Sequence, residues 1–544
     1  MAITLDKSAS SSPQQQPSIE LGNRKEASNE VAFVVRESDD LDNNEFEGTE
    51  ATDGDKVDMH RLGKKQQLIR HFRLLSTVSF VAMATAAWEI GLFLTTQGLT
   101  DGGTAGLIWS VVWNFVGFCP IYLSMAEMSS MAPTAGGQYH WVSEFAHEDW
   151  QKWLSYLTGW TSTMAWQAGN AIGVFLTGTL IQVIILENNP DYLFPTWQGS
   201  LLVMAIIVLV AVINIFGAKI IPKLQNAIFA LHIMAYICFI VPIWVNAPKV
   251  SASQVFGGFS NSGGWSSMGL AVLAGQLSGI YTQVGVDTAA HIAEEVKNAS
   301  KAVPRAMMSV YIINFLLIFV AIITTCFAMP DLSAALTDPS LYATVYVLRQ
   351  SMSTAWLTCV LVMIICLLIC SNVAYLTAVT RDLFAFSRDN GLPFSGWIAT
   401  IHPKHHVPVN AVILTSLLSF VLSLIYIGSS VAFYAITSLL TVALLQCYLF
   451  SIGSILWRRI YRPATLPPSH FSLGRWGVPI NIAGVIYAAW AFFWAFWPIA
   501  TPVTAAGFNW ASVIFAAVLV FAFVHYVIKA RHVYTGPVVL VRRL

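Results

Sequence analysis

The chain has 544 residues, 56% hydrophobic and only 11% charged, with a mean hydropathy of +0.62. That balance excludes an ordinary water-soluble protein, which at this size could not hide so much apolar surface. The formal net charge is zero, so total charge points to no charged partner, and no nucleic-acid partner is expected.

The first sixty or so residues are rich in Ser, Gln, Asn, Asp and Glu and carry the acidic run Glu37, Asp39, Asp40, Asp42, Glu45, Glu47 and Glu50. Such a segment has too little apolar surface to order itself. Residues 1–70 are therefore expected to form a disordered tail, with Lys7 and Lys25 as candidate modification sites. The tail lacks the apolar core of a signal peptide.

A spanning helix needs about 20 mostly apolar residues, because its backbone groups must be satisfied internally where water is absent. Such stretches are predicted at 76–98, 105–131, 153–186, 199–217, 222–246, 267–292, 305–329, 354–386, 409–427, 431–457, 478–500 and 508–529. The expected fold is an all-α membrane protein of about twelve transmembrane helices in a permease domain over 71–530, followed by a short tail at 531–544. With the N-terminus in the cytoplasm, every Lys and Arg except Lys249 and Arg349 falls on the cytoplasmic side, which predicts two cytoplasmic termini by the positive-inside rule. The seven cysteines all lie in apolar stretches, so neither disulfides nor a metal site is expected, and no cofactor.

Ionisable and polar groups at membrane depth mark function. Glu89 stands mid-way along the first span beside Trp88, with Thr85 before it and Gly91 after it. A carboxylate there is expected to face a cavity and attract an ammonium or a proton, and Trp88 to offer a ring face to the cation. The sixth span is interrupted by Gly275, Gly279 and Gly285 around the polar run Ser278, Tyr281, Thr282 and Gln283, and it holds Asp287. Breaks in spans one and six predict an inverted repeat of five plus five helices with the solute between the half-helices. Trp166, Gln167 and Asn170 form a one-turn polar and aromatic patch on the third span, a candidate cavity wall. His232 on the fifth span is a satisfied core histidine or a proton relay.

Three segments carry a resemblance: Ala126 to Trp141 (AEMSSMAPTAGGQYHW), Gly285 to Ala299 (GVDTAAHIAEEVKNA) and Ser387 to Phe394 (SRDNGLPF). In this order they resemble the amino acid–polyamine–organocation permeases, in particular the fungal branch that includes choline and GABA permeases. The likeness runs from about residue 70 to 530. It implies the twelve-helix inverted repeat, alternating access and transport energised by protons. It also implies gate elements around Glu127 and from His291 through Glu294 and Glu295, with the carboxylates in ion pairs, and a substrate region from Thr85 to Gly91 and from Gly279 to Asp287. Many permeases of that superfamily have a glycine-rich first break that wraps a substrate carboxylate; this chain has Ala84-Thr85-Ala86-Ala87-Trp88-Glu89. That departure favours an ammonium held by Glu89 and aromatic faces.

The expected function is secondary active transport of choline or a related amine, or of GABA or another amino acid, at the plasma membrane with a proton as partner. A nutrient sensor of the same fold is the alternative. No paired catalytic groups or phosphate-binding loop suggests an enzyme.

Overall fold

The computed structural model describes residues 49–218, 220–428, 432–505 and 507–540. Lys7 and Lys25 lie outside the described residues.

A short helix, α1 (Asp53–Arg61), precedes the first span, which consists of α2 (Leu74–Thr85) and α3 (Ala87–Phe93). The second span is α4 (Thr96–Met131); α5 (Gly137–Phe145) lies on the face that carries α1; α6 (Gln151–Asn188), α7 (Thr196–Gly217) and α8 (Ile221–Asn246) are the third to fifth. After α9 (Ala252–Gly257), the sixth span is assembled from α10 (Met268–Gly275), α11 (Leu277–Tyr281) and α12 (Thr288–His291). The seventh is α13 (Ala299–Phe327); α14 (Leu332–Leu336) and α15 (Ala343–Ser351) lead to the eighth, α16 (Thr354–Arg388). Then follow α17 (Ser395–Ile398), α18 (Val409–Gly428), α19 (Ala432–Tyr461), α20 (Gly477–Trp494) and α21 (Ala511–His525). Among the described residues ten helices are long and apolar enough to cross a membrane alone; the sixth and ninth spans are shorter apolar helices.

The packing repeats. The first span lies on α13 as the sixth lies on α4, and α7 meets α16 as α18 meets α6. The pairs α4 with α13, α6 with α16 and α7 with α18 map onto themselves when the two halves are exchanged. Such a pattern is what two inverted five-helix units produce. Helices α20 and α21 pack outside it, on α4 and α19 and on α6 and α19. Apolar side chains such as Val208, Val212 and Phe216 on α7 and Val520 and Phe521 on α21 are exposed outward, as a lipid-facing surface requires.

Both breaks have local causes. The first span turns at Ala86, whose φ of 40° places an L-residue in the left-handed region. The sixth unwinds between Thr282 and Asp287, where Gly285 adopts φ 99°, open to glycine for want of a Cβ.

The N-terminal region corrects the expectation of disorder through residue 70. Thr52 caps α1, its hydroxyl accepting from the Asp55 N–H at 3.3 Å. Asp55 in turn accepts from the N–H groups of Asn298 and Ala299, both at 3.0 Å, at the start of α13, and pairs with Arg70 at 3.2 Å. Arg61 pairs with Glu144 on α5 at 2.8 Å, and Lys64 with Asp389. Phe72 then forms a parallel backbone bridge with Val296. This strap folds through ion pairs with distant partners, which a reading of its own composition misses.

Candidate functional site

A small cavity of about 30 Å³ lies where the two breaks meet. It has room for about two waters and is too small for an amino acid in this conformation. The first span contributes Ala84, Thr85, Ala87 and Ile90; the sixth contributes Tyr281, Thr282, Val284 and Gly285. Gly169 and Gly173 of α6, Ser371, Asn372 and Tyr375 of α16, and Leu440 and Leu444 of α19 complete the wall. Among these residues none carries a charge.

The polar side chains in the wall are held by the helices behind them. Thr85 accepts from Asn314 Nδ2 at 2.8 Å, and Asn372 donates to the Gly173 carbonyl and to Thr177 at 3.2 and 2.8 Å. Thr282 donates to the Gly279 carbonyl at 2.8 Å, capping the end of α11. Broken helices leave main-chain N–H and C=O groups without intrahelical partners, and these supply polarity where the wall has no ions.

Beneath the cavity, toward the strap face, lies a buried polar layer. Asp287 accepts from Tyr448 on α19 at 2.9 Å and from Gln138 on α5 at 2.5 Å. His291 Nδ1 lies 3.0 Å from the Ala135 carbonyl and 3.6 Å from Asp382, which also accepts from Ser162 at 2.9 Å. The Trp166 ring packs against both His291 and Tyr375, at centroid distances of 4.8 and 5.2 Å.

Ion pairs close the strap face. Glu294 is held by both terminal nitrogens of Arg388, at 2.8 and 2.9 Å. Burial would raise its pKa, but the Arg388 charge and hydrogen bonds, with Lys64 beyond, outweigh that and hold it near 2. Glu295 pairs with Arg381 at 2.6 Å, and Glu127 with Arg459.

The structure brings Thr85, Tyr281, Thr282 and Gly285 to the cavity and turns the other sequence-derived candidates elsewhere. Glu89 and Trp88 face α8 instead: Glu89 Oε1 is 2.5 Å from His232 Nδ1, and the Trp88 indole N–H points at the same nitrogen at 3.3 Å. Since Ala87 and Ile90 line the cavity and a helix turns about 100° per residue, the two positions between them are carried round to the outer side. Gly91 meets α13, where an added Cβ would lie 2.8 Å from Ile318. Gln167 and Asn170 donate to Thr415 and Ser419 on α18 at 3.0 and 2.8 Å, so their patch is a helix contact and not a wall. Gln283 bonds Thr282 with its side chain and receives Tyr122 on its carbonyl. Asp287 belongs to the lower layer.

Asn372, Tyr375 and Asp382 were not among the residues the sequence pointed to. The place of Asp382 in the eighth predicted span was the available signal. Asp101 was likewise missed: α4 starts nine residues before the predicted stretch and buries Asp101 against the Trp265 indole N–H at 3.1 Å.

Two unwound spans facing each other inside an inverted helical repeat, with a cavity between them, define the architecture of a membrane transporter. A family model described as amino acid permease matches residues 74–521. A protein of Macrophomina phaseolina named as an amino acid/polyamine transporter is 30% identical over 80% of this chain and 96% of its own. The amino-acid permease BAT1 of Arabidopsis thaliana is 28% identical over 89% of this chain and 96% of its own. The crystal structure of a manganese transporter of Eremococcus coleocola superposes with a TM-score of 0.51 at 14% identity, covering 85% of this chain and 95% of that one, and shows the shared fold alone. The chain belongs to the amino acid permease family, and it is a transporter and not an enzyme.

Proposed function

We propose that the protein carries a small zwitterionic amino acid, with GABA in its range, across the plasma membrane by alternating access coupled to a proton. The observation that carries this reading is the neutral wall between two unwound spans. Main-chain donors and acceptors at the breaks suit a substrate that brings one carboxylate and one ammonium, whereas a bare cation would leave its charge uncompensated in the cavity. Gly169 and Gly173 keep the wall close to the substrate and favour small side chains.

The Glu89–His232 pair is the proposed proton carrier: it abuts the first break without reaching the cavity, so protonation there can bias the hinge without occupying the substrate site. The strap face is the proposed cytoplasmic face, on the distribution of Lys and Arg. A second reading, choline or a related amine, has Tyr281 and Tyr375 in its favour, since aromatic faces bind quaternary ammonium.

The test is uptake of labelled GABA, a panel of α-amino acids and choline in cells lacking their own carriers, at two external pH values. Accumulation of an amino acid, faster at acid pH, is expected. Choline accumulation without amino-acid uptake would replace the first reading by the second.

A further inference from the structure

A second and larger cavity, of about 420 Å³, opens on the strap face, far in volume from the small cavity at the breaks and within the range of ligand-binding sites. Its walls come from five separate parts of the chain: the strap, the start of α8, the turn before α13, the end of α16 and the loop before α18. They bring together Lys223, Arg381, His71, His405 and His406, against one carboxylate, Glu295. That carboxylate is already engaged by Arg381 Nε at 2.6 Å. Arg381 Nη1 reaches Thr380 at 3.4 Å. Lys223 and three imidazoles, beside an Arg381–Glu295 pair that has no net charge, make a site for an anion that accepts several hydrogen bonds, which is the chemistry of a phosphate group.

The surroundings indicate what carries the phosphate. Phe216, at the end of α7, is 68% exposed and packs edge-on against His405 at 5.3 Å. Ile220 and Leu224 flank Lys223 and are also exposed, as is Leu75 at the start of α2. The cationic pocket therefore opens beside an apolar surface formed by spanning helices. A soluble phosphate ester has no use for such a surface, whereas a phospholipid fills both parts, its headgroup in the pocket and its acyl chains along α7 and α8. His406 is fixed in the left-handed region at φ 56° within a tight loop closed by the His402 N–H to the Val407 carbonyl at 3.0 Å, so the rim is preformed.

We infer that this pocket binds the phosphate headgroup of an anionic phospholipid. A lipid there contacts the strap at Leu68, Ile69 and His71 and the gate pair Arg381–Glu295 together, and so holds the strap face closed. The orientation proposed above makes the source the cytoplasmic leaflet, which is the anionic one; the binding itself is independent of the substrate reading.

The test uses the full chain in detergent, with thermal stability followed during titration by phosphatidylserine, phosphatidylcholine or inorganic phosphate. Phosphatidylserine is expected to stabilise at lower concentration than phosphatidylcholine. The double variant Lys223→Ala, His406→Ala should require at least about fivefold more phosphatidylserine, the effect of one cation lost near an anionic surface. Lys223→Arg, which keeps the charge, should retain the wild-type preference and shows that any loss in the alanine variant is not misfolding. Equal stabilisation by the two lipids, or an unaltered preference in the double variant, would overturn the site. Stabilisation by inorganic phosphate as strong as by phosphatidylserine would overturn the lipid assignment in favour of a soluble phosphate ligand.

Discussion

His232 Nδ1 lies 2.5 Å from Glu89 Oε1, and both side chains are sealed between α3 and α8. The second carboxylate oxygen and the second ring nitrogen have no hydrogen-bond partner among the described residues. The pair sits against the first break, so any movement of the first span must rearrange it. Glu89→Gln keeps the size and removes the carboxylate. It is expected to abolish the acceleration of uptake at acid pH while leaving KM for the substrate unchanged, measured as initial rates at two external pH values. A raised KM with an intact pH effect would return Glu89 to the substrate site.

Gly169 and Gly173 put α6 against α16. A Cβ on Gly169 would lie 2.0 Å from the Tyr375 hydroxyl, and one on Gly173 would lie 2.2 Å from Asn372 Oδ1. Neither approach is tolerable, so the side chains must move toward the cavity, at a cost of about 1–3 kcal/mol for overpacking. Gly169→Ala and Gly173→Ala should raise KM and narrow the substrate range toward the smallest members of the panel, with the protein still reaching the membrane. Unchanged kinetics in both variants would remove this wall from the substrate path.

The Glu294–Arg388 pair has to part if the strap face is to open. Arg388→Ala leaves a buried carboxylate unpaired, for which about 3–5 kcal/mol of destabilisation is expected. Removing both partners should cost less than Arg388→Ala alone, because no charge is then stranded. Thermal denaturation of the purified single and double variants checks this, and a double variant as unstable as the sum of the singles would refute the coupling.

Burial raises the Asp58 carboxyl to about 6, only partly offset by a hydrogen bond with Ser300 and by Arg61. A raised folded-state value means that the folded strap holds its proton more tightly than the unfolded chain. Its stabilising effect is complete below the ordinary carboxylate value of about 3.8 and is lost as pH rises through about 6. Asp58→Asn should therefore tighten the strap at neutral pH by on the order of 1–2 kcal/mol, and flatten its pH dependence between these values. Hydrogen exchange of the α1 amides at acid and neutral pH measures both effects; equal protection in wild type and variant at neutral pH would rule out the strain.

The number of spans and their order were legible because they depend on composition summed over some twenty residues, which local packing cannot reverse. The sixth break was legible because Gly285 is the residue a positive φ demands. The first break was found from polarity at Glu89, but its geometry was not, since it turns on Ala86, a residue with no preference for the left-handed region.

What only the tertiary structure decided is where each polar side chain points. Thr85 and Glu89 are four residues apart and would share a face of a continuous helix; the turn at Ala86 between them sends one to the cavity and the other to His232. Asp382 is adjacent to Arg381 in sequence, yet α16 continues past both and buries Asp382 near His291. The strap follows the same logic, because Asp55, Arg61 and Lys64 find their partners at Ala299, Glu144 and Asp389, far along the chain. Hydrophobic burial is a property of a segment and can be read from it, whereas an ion pair or a cavity wall belongs to two or more segments and exists only once they meet.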